Sequence, residues 1–160
     1  MQKIGYSEWV SAGILVKVLI GSFSFIIIFG TILLIIFGNI DVEDVYGLII
    51  AWGVLAFILF LFWNYRGLQI RISSNELAVK YGIFNKKSIE LSNITSCKVI
   101  QASFGRYSGI GVRYSFDGSI AYTTSFGNAV EIIPKKGQTF VFSSNNPEKI
   151  CSFIKTKIVT

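Results

Sequence analysis

The first third of the chain does not alternate hydrophobic with polar positions. Val18 to Phe37 is a continuous apolar run: fifteen large apolar side chains interrupted only by Gly21, Ser22, Ser24, Gly30 and Thr31, with no charge. Val45 to Trp63 is a second uncharged run, and the seven residues from Gly38 to Asp44 join the two. About 20 uncharged apolar residues are enough for a helix to cross the hydrocarbon core of a bilayer. The core helix of a soluble protein seldom stays apolar on every side for five turns. A cleaved signal peptide is a poor match, because the first run is too long for an h-region, starts late and is followed by no small-x-small cleavage site. The pattern predicts a transmembrane hairpin with helices over about 18–37 and 45–63, in an N-terminal segment of residues 1–65.

From residue 66 to 160 the period changes to two, as in half-buried strands. Leu68, Ile70 and Ile72 alternate with Gln69, Arg71 and Ser73; Leu77, Val79 and Tyr81 alternate with Ala78 and Lys80 beyond a Ser74-Asn75 turn. A turn near Gly82 to Lys86 leads to Ile89 and Leu91, then Cys97 and Val99. Val112, Tyr114 and Phe116 meet Asp117-Gly118, which suits a two-residue primed hairpin turn, and Ile120 and Tyr122 resume beyond it. Val130 and Ile132 follow, and Pro134-Lys135-Lys136-Gly137 turns the chain into Phe140 and Phe142. The period then becomes helical. Asn146 reads as a cap, Pro147 as the first helical residue and Glu148 as a first-turn acid. Ile150, Phe153, Ile154 and Ile158 make one apolar stripe.

Seven or eight short antiparallel strands closed by one amphipathic helix form a small sheet that curls into a barrel or an orthogonal sandwich, with the helix plugging an open end. This is the plan of a pleckstrin-homology-like (PH-like) domain. The residues also carry a resemblance. The Arg-bearing first strand Leu68-Gln69-Ile70-Arg71-Ile72 follows two apolar runs. After it come Glu76 to Gly82, Ser88 to Ile94, Arg106 to Tyr114, and Asn128-Ala129-Val130-Glu131-Ile132. Together these make the chain similar to the membrane-anchored bacterial PH-like proteins, over Arg66 to Ile158 with the hairpin as context. The resemblance implies a PH-like fold, a cytoplasmic domain and a tendency to oligomerise. It implies no activity and supplies no catalytic residues.

Charge gives the direction of insertion. The link carries Asp41, Glu43 and Asp44 and no Lys or Arg, whereas Lys3, Lys17, Arg66 and Arg71 flank the runs on their other ends. Positive charge stays inside, so both termini and the domain are expected in the cytoplasm and the acidic link outside. Trp9, Tyr46, Trp52, Trp63 and Tyr65 provide interfacial anchors. In that compartment Asn93-Ile94-Thr95 is not a glycosylation acceptor, and Cys97 and Cys151 are expected as reduced, buried thiols.

The chain has no histidine, which removes the commonest general base and metal ligand. Two isolated cysteines cannot make a structural zinc site, the acids of the domain are scattered, and no phosphate-binding glycine loop is present. No catalytic, cofactor or metal site is expected. From Asn64 onward thirteen basic residues face five acids, a net charge of +8, against −2 for the preceding part. A basic domain held at an anionic leaflet gains roughly 1 kcal/mol per basic residue near the surface. Lys86, Lys87, Arg106, Arg113, Lys135 and Lys136 are the candidate contacts to lipid or partner. Tyr107 and Tyr114, interleaved with arginines, are explained equally by a core face, so nucleic acid is not the expected partner. The expected role is a non-enzymatic, membrane-tethered interaction or scaffold module that self-assembles or recruits a membrane protein. The alternatives are recognition of anionic lipid headgroups, and an accessory subunit of a transporter or secretion complex.

Overall fold

A computed structural model describes residues 4–38, 41–103, 105, 109–115 and 118–158. The chain forms two compact units: Gly13–Asn64, and Met1–Ala12 together with Tyr65–Thr160.

The first unit is the apolar hairpin. Helix α1 (Ile14–Phe37) and helix α2 (Val42–Asn64) extend a few residues beyond the apolar runs at three of their four ends. Asp41 caps α2: its Oδ1 accepts the backbone N–H of Glu43 (3.0 Å) and of Asp44 (3.1 Å). The two acids in the first turn suit the positive end of the helix dipole. Ser24 and Thr31 turn their hydroxyls back onto the carbonyls of Ile20 and Ile27 (2.8 Å each), so no helix-interior hydroxyl of theirs is left to hydrocarbon. Trp52 Nε1 donates to Thr31 Oγ1 across the pair (3.2 Å). Phe25, Ile26, Ile35, Ile36, Ile49, Ile50 and Phe57 are all more than 60 % exposed. A surface of that composition needs an apolar solvent, and the hairpin associates the chain with a membrane.

The second unit contains two sheets and a helix. One sheet is four-stranded in the order β1 (Ile4–Ser11), β2 (Gly67–Ser73), β3 (Glu76–Tyr81), β4 (Asn85–Glu90), all antiparallel. A single 3-10 turn, Leu91–Asn93, leads to the other, ordered β5 (Ile94–Ala102), β8 (Gly127–Pro134), β9 (Phe140–Ser143), β7 (Ile120–Thr123), β6 (Gly111–Tyr114). Helix α3 (Pro147–Ile158) closes the unit. The expected strands are present. The sheets do not close into a barrel, because the 3-10 turn interrupts the path from β4 to β5 and the two are not paired. One pairing, β7 with β9, is parallel. The turn residue Asp117 lies outside the described residues, as do Phe116 and the side chain of Ile158; Gly118 adopts φ +77° and its N–H reaches Ser115 O (3.0 Å).

Strand β1 was not anticipated. Its inward positions, set by the register Val10↔Leu68, Glu8↔Ile70 and Tyr6↔Ile72, contain a single aliphatic side chain. Glu8 is nevertheless satisfied. Its carboxylate accepts Tyr6 Oη (2.8 Å), Ser144 Oγ (2.9 Å) and the N–H of Asn145 (2.6 Å), tying β1 to the approach of α3.

Between the sheets, Leu68, Ile70, Ile72, Val79, Ile94, Val130, Ile132, Phe140 and Phe142 are fully buried, and Ile150 and Ile154 of α3 join them. An aromatic column runs through this core: Tyr65 on Tyr81 (5.3 Å), Tyr81 on Tyr122 (6.2 Å), Tyr122 on Phe140 (5.0 Å), Phe140 on Phe142 (5.5 Å). Burial, with Tyr65 adding to it, pushes the Tyr81 phenol up to about 12. Burial likewise raises Tyr122, and burial with the Glu8 bond and charge raises Tyr6 to about 12. The structure corrects the reading of the cysteines as separate thiols. Cys97 of β5 and Cys151 of α3 are disulfide-bonded, with Cα atoms 5.4 Å apart. Two positions that look unrelated in sequence meet because α3 packs directly on β5.

Three outcomes follow from this core. Ile154→Asp buries an unpaired carboxylate and should cost several kcal/mol, enough to unfold the unit, while the exposed control Lys155→Asp should change stability little; tryptic protection of the full-length protein in detergent measures both. Reducing the Cys97–Cys151 bond, which spans 54 residues, should lower stability by about 4 kcal/mol on the loop-entropy account, read as the shift in denaturation midpoint with and without reductant. A phenol whose folded pKa is raised stabilises fully below its unfolded value near 10 and loses that contribution as pH climbs toward 12. Stability should therefore fall above pH 10, and Tyr81→Phe should flatten the fall by about 1.4 kcal/mol per pH unit in an alkaline melting series.

Candidate functional site

Antiparallel partners lie on the same face of a sheet, and this decides where the candidate cations go. On β4 the register is Val79↔Lys87 and Lys80↔Lys86. Val79 is fully buried, so Lys87 stands on the inner face of an edge strand and Lys86 on the outer face. The two adjacent lysines are thus separated by the pleat.

Lys87 joins Lys135 and Lys136. The three border a cleft of about 600 Å³ whose walls are β4 with the following 3-10 turn (Ser88, Ile89, Glu90, Ser92, Asn93) and the β8–β9 turn, Pro134 to Gln138. The β8–β9 turn is held in place from below. Lys135 N–H donates to Asn93 O (2.7 Å), and Asn93 Nδ2 donates to Lys136 O (3.4 Å). The backbone is therefore fixed while both lysine side chains remain exposed. Glu90 is the one acid in the lining, and it accepts Ser92 Oγ (3.4 Å). The cleft runs along the open edge of β4, the last strand of its sheet.

Lys86 belongs to a different place. With Lys80, Arg71, Gln69, Ser73, Glu76, Ala78 and Ile83 it lines a second depression of about 560 Å³ on the outer face of the same sheet. Lys80 and Arg71 were not singled out as candidates from the sequence; their outward period-two positions were the available signal. Arg113, on the edge strand β6, lies on Gly109, where an added Cβ would come within 3.1 Å of its guanidinium. It takes no part in the cleft. Arg106 lies outside the described residues. Among the described residues no group of three His, Cys, Asp or Glu side chains is arranged to hold a metal ion.

Two sheets of mainly antiparallel strands, a C-terminal helix and a preceding apolar hairpin define a membrane-associated PH-like protein. The chain belongs to the bacterial PH domain family, which matches residues 14–112, more than half of its length. The matched span begins at α1 and ends at the start of β6. It includes the hairpin, whereas β1 precedes it and β7–β9 and α3 follow it. No curated protein and no solved structure matches the chain.

Proposed function

We propose that this chain is a membrane-tethered, non-enzymatic interaction module that takes an acidic, extended segment of a membrane partner protein into the cleft beside β4. One observation carries the reading: Lys87, Lys135 and Lys136 converge on a cleft that follows an open strand edge. An edge offers unpaired backbone donors and acceptors to an added strand, and three ammonium groups select an acidic one. Membrane confinement raises the effective concentration of the partner, so a weak edge contact suffices. The open strand edge in the lining favours an extended protein segment over lipid here.

Both helices span the bilayer in this proposal, with both termini and the PH-like unit in the cytoplasm, on the strength of Lys3, Lys17, Arg66 and Arg71 against Asp41, Glu43 and Asp44. Cytoplasmic reductants reach exposed sulfur first, and the Cys97–Cys151 bond is buried, each cysteine being 5 % exposed, so in acid-quenched cells the pair should resist alkylation after denaturation until reductant is added. A reporter fused after Thr160 that is active only outside the membrane would overturn this orientation.

The binding reading is tested in the full-length protein with a photo-crosslinking amino acid in place of Gln138. Protein adducts should form in the native membrane and fall at least tenfold, about 1.4 kcal/mol, in Lys135→Glu/Lys136→Glu. Adducts only with lipid would overturn it, and adducts with a second copy would identify the partner as this chain.

A further inference from the structure

The β3–β4 turn carries side chains that the cleft does not use. Gly82, at φ +68°, starts a short turn that a side chain there would strain. The turn then presents Ile83 and Phe84, 55 % and 71 % exposed. Among the described residues few apolar side chains outside the hairpin are exposed to this degree, and these two are consecutive. Immediately beside them Lys80 and Lys86 stand opposite one another in register on the outer face, with Arg71 lining the same depression. Like charges placed directly opposite on paired strands destabilise a sheet unless something negative sits between them. Glu76 also lines the depression, but its carboxylate accepts Ser88 Oγ (2.8 Å).

The location of this turn tells what it meets. The pairings Ser11↔Gly67, Leu68↔Tyr81 and Tyr81↔Asn85 put the end of β1, the start of β2, the end of β3 and the start of β4 at one end of the sheet. Ala12 N–H donates to Arg66 O (2.8 Å) at that same end. Here the chain leaves for α1 and returns from α2, with only Gly13 between Ala12 and Ile14 and with Tyr65 directly after Asn64. Tyr65 is itself tied to the turn. Its hydroxyl accepts Asn85 Nδ2 (3.2 Å) and its ring packs on Tyr81 (5.3 Å). The apolar tip and the lysine pair thus occupy the end of the sheet at which the chain departs for the hairpin and returns from it. The β2–β3 turn, Ser74-Asn75, is at the other end.

We propose that the β3–β4 turn is a bilayer-contact loop: Ile83 and Phe84 enter the interfacial zone of the leaflet, and Lys80 and Lys86 hold the phosphate of an anionic phospholipid between them. Apolar side chains at the acyl boundary and cations at the headgroups are the division that interfacial segments use. Such a contact would add a third attachment of the unit to the membrane beyond the two covalent ones. It is a separate site from the β4 cleft and stands or falls separately.

The test uses the full-length protein in nanodiscs, with a genetically encoded fluorescent amino acid in place of Phe84 or, as control, of Ser74. Brominated acyl chains supply the quencher, on phosphatidylglycerol or on phosphatidylcholine at equal fraction. Quenching at position 84 should exceed that at position 74 at least fivefold and should be stronger with brominated phosphatidylglycerol. Lys80→Gln/Lys86→Gln should abolish the preference between the two lipids while leaving the unit folded, as tryptic protection reports. Equal quenching at the two positions would overturn the loop assignment. Equal quenching by the two lipids in the unaltered protein would overturn the headgroup site.

Discussion

The antiparallel pairing of β1 with β2 is the constraint on which the rest depends. These strands are neighbours in space yet separated in sequence by the whole apolar hairpin. Strand β2 has β1 on one side and β3 on the other, and its inward side chains Leu68, Ile70 and Ile72 are fully buried. Their burial drives the sheet together. Its geometric result is that the two points where the chain enters and leaves the hairpin are clasped by one hydrogen bond, Ala12 N–H to Arg66 O. The PH-like unit is held at two points and not at one, with no linker at either.

Both edges of the four-stranded sheet carry a charged side chain on the inner face, and they are treated differently. On β1 Glu8 is surrounded by donors from Tyr6, Ser144 and Asn145, so its charge is spent on attaching α3. On β4 Lys87 opens onto the cleft with Lys135 and Lys136. An inward charge on an edge strand discourages indiscriminate strand addition. At β4, in the function proposed above, the same charge would convert a general liability into a preference for acidic segments. The inward charge is hydrogen-bonded within the unit at one edge and borders a cleft at the other.

Much of this was legible in the sequence because burial writes itself as period. The runs from Val18 and Val45, the alternations at Leu68–Ile72 and Leu77–Tyr81, and the stripe through Ile150 and Ile154 each map to an element of the structure. Strand β1 was illegible because two of its three inner positions, Tyr6 and Glu8, are brought inside by hydrogen bonding, which leaves Val10 as the one aliphatic signal. The cysteine pair was illegible because it depends on how α3 meets β5. At the candidate site, the basic character of the turn at Lys135 and Lys136 was visible, but its partner was not. Only register separates Lys87 from Lys86, and a single-residue slip would exchange them.

The split origin of the four-stranded sheet also sets an order of events during synthesis. Strand β1 leaves the ribosome first, but its partner is about sixty residues behind it. At 5–20 residues per second, β1 waits roughly 3–12 s before β2 exists to receive it. Throughout that interval the hairpin is the only part of the chain that can reach its final state. The two apolar helices are therefore complete before the sheet can be assembled, and each copy of the domain closes its β1–β2 pair across a hairpin that already exists.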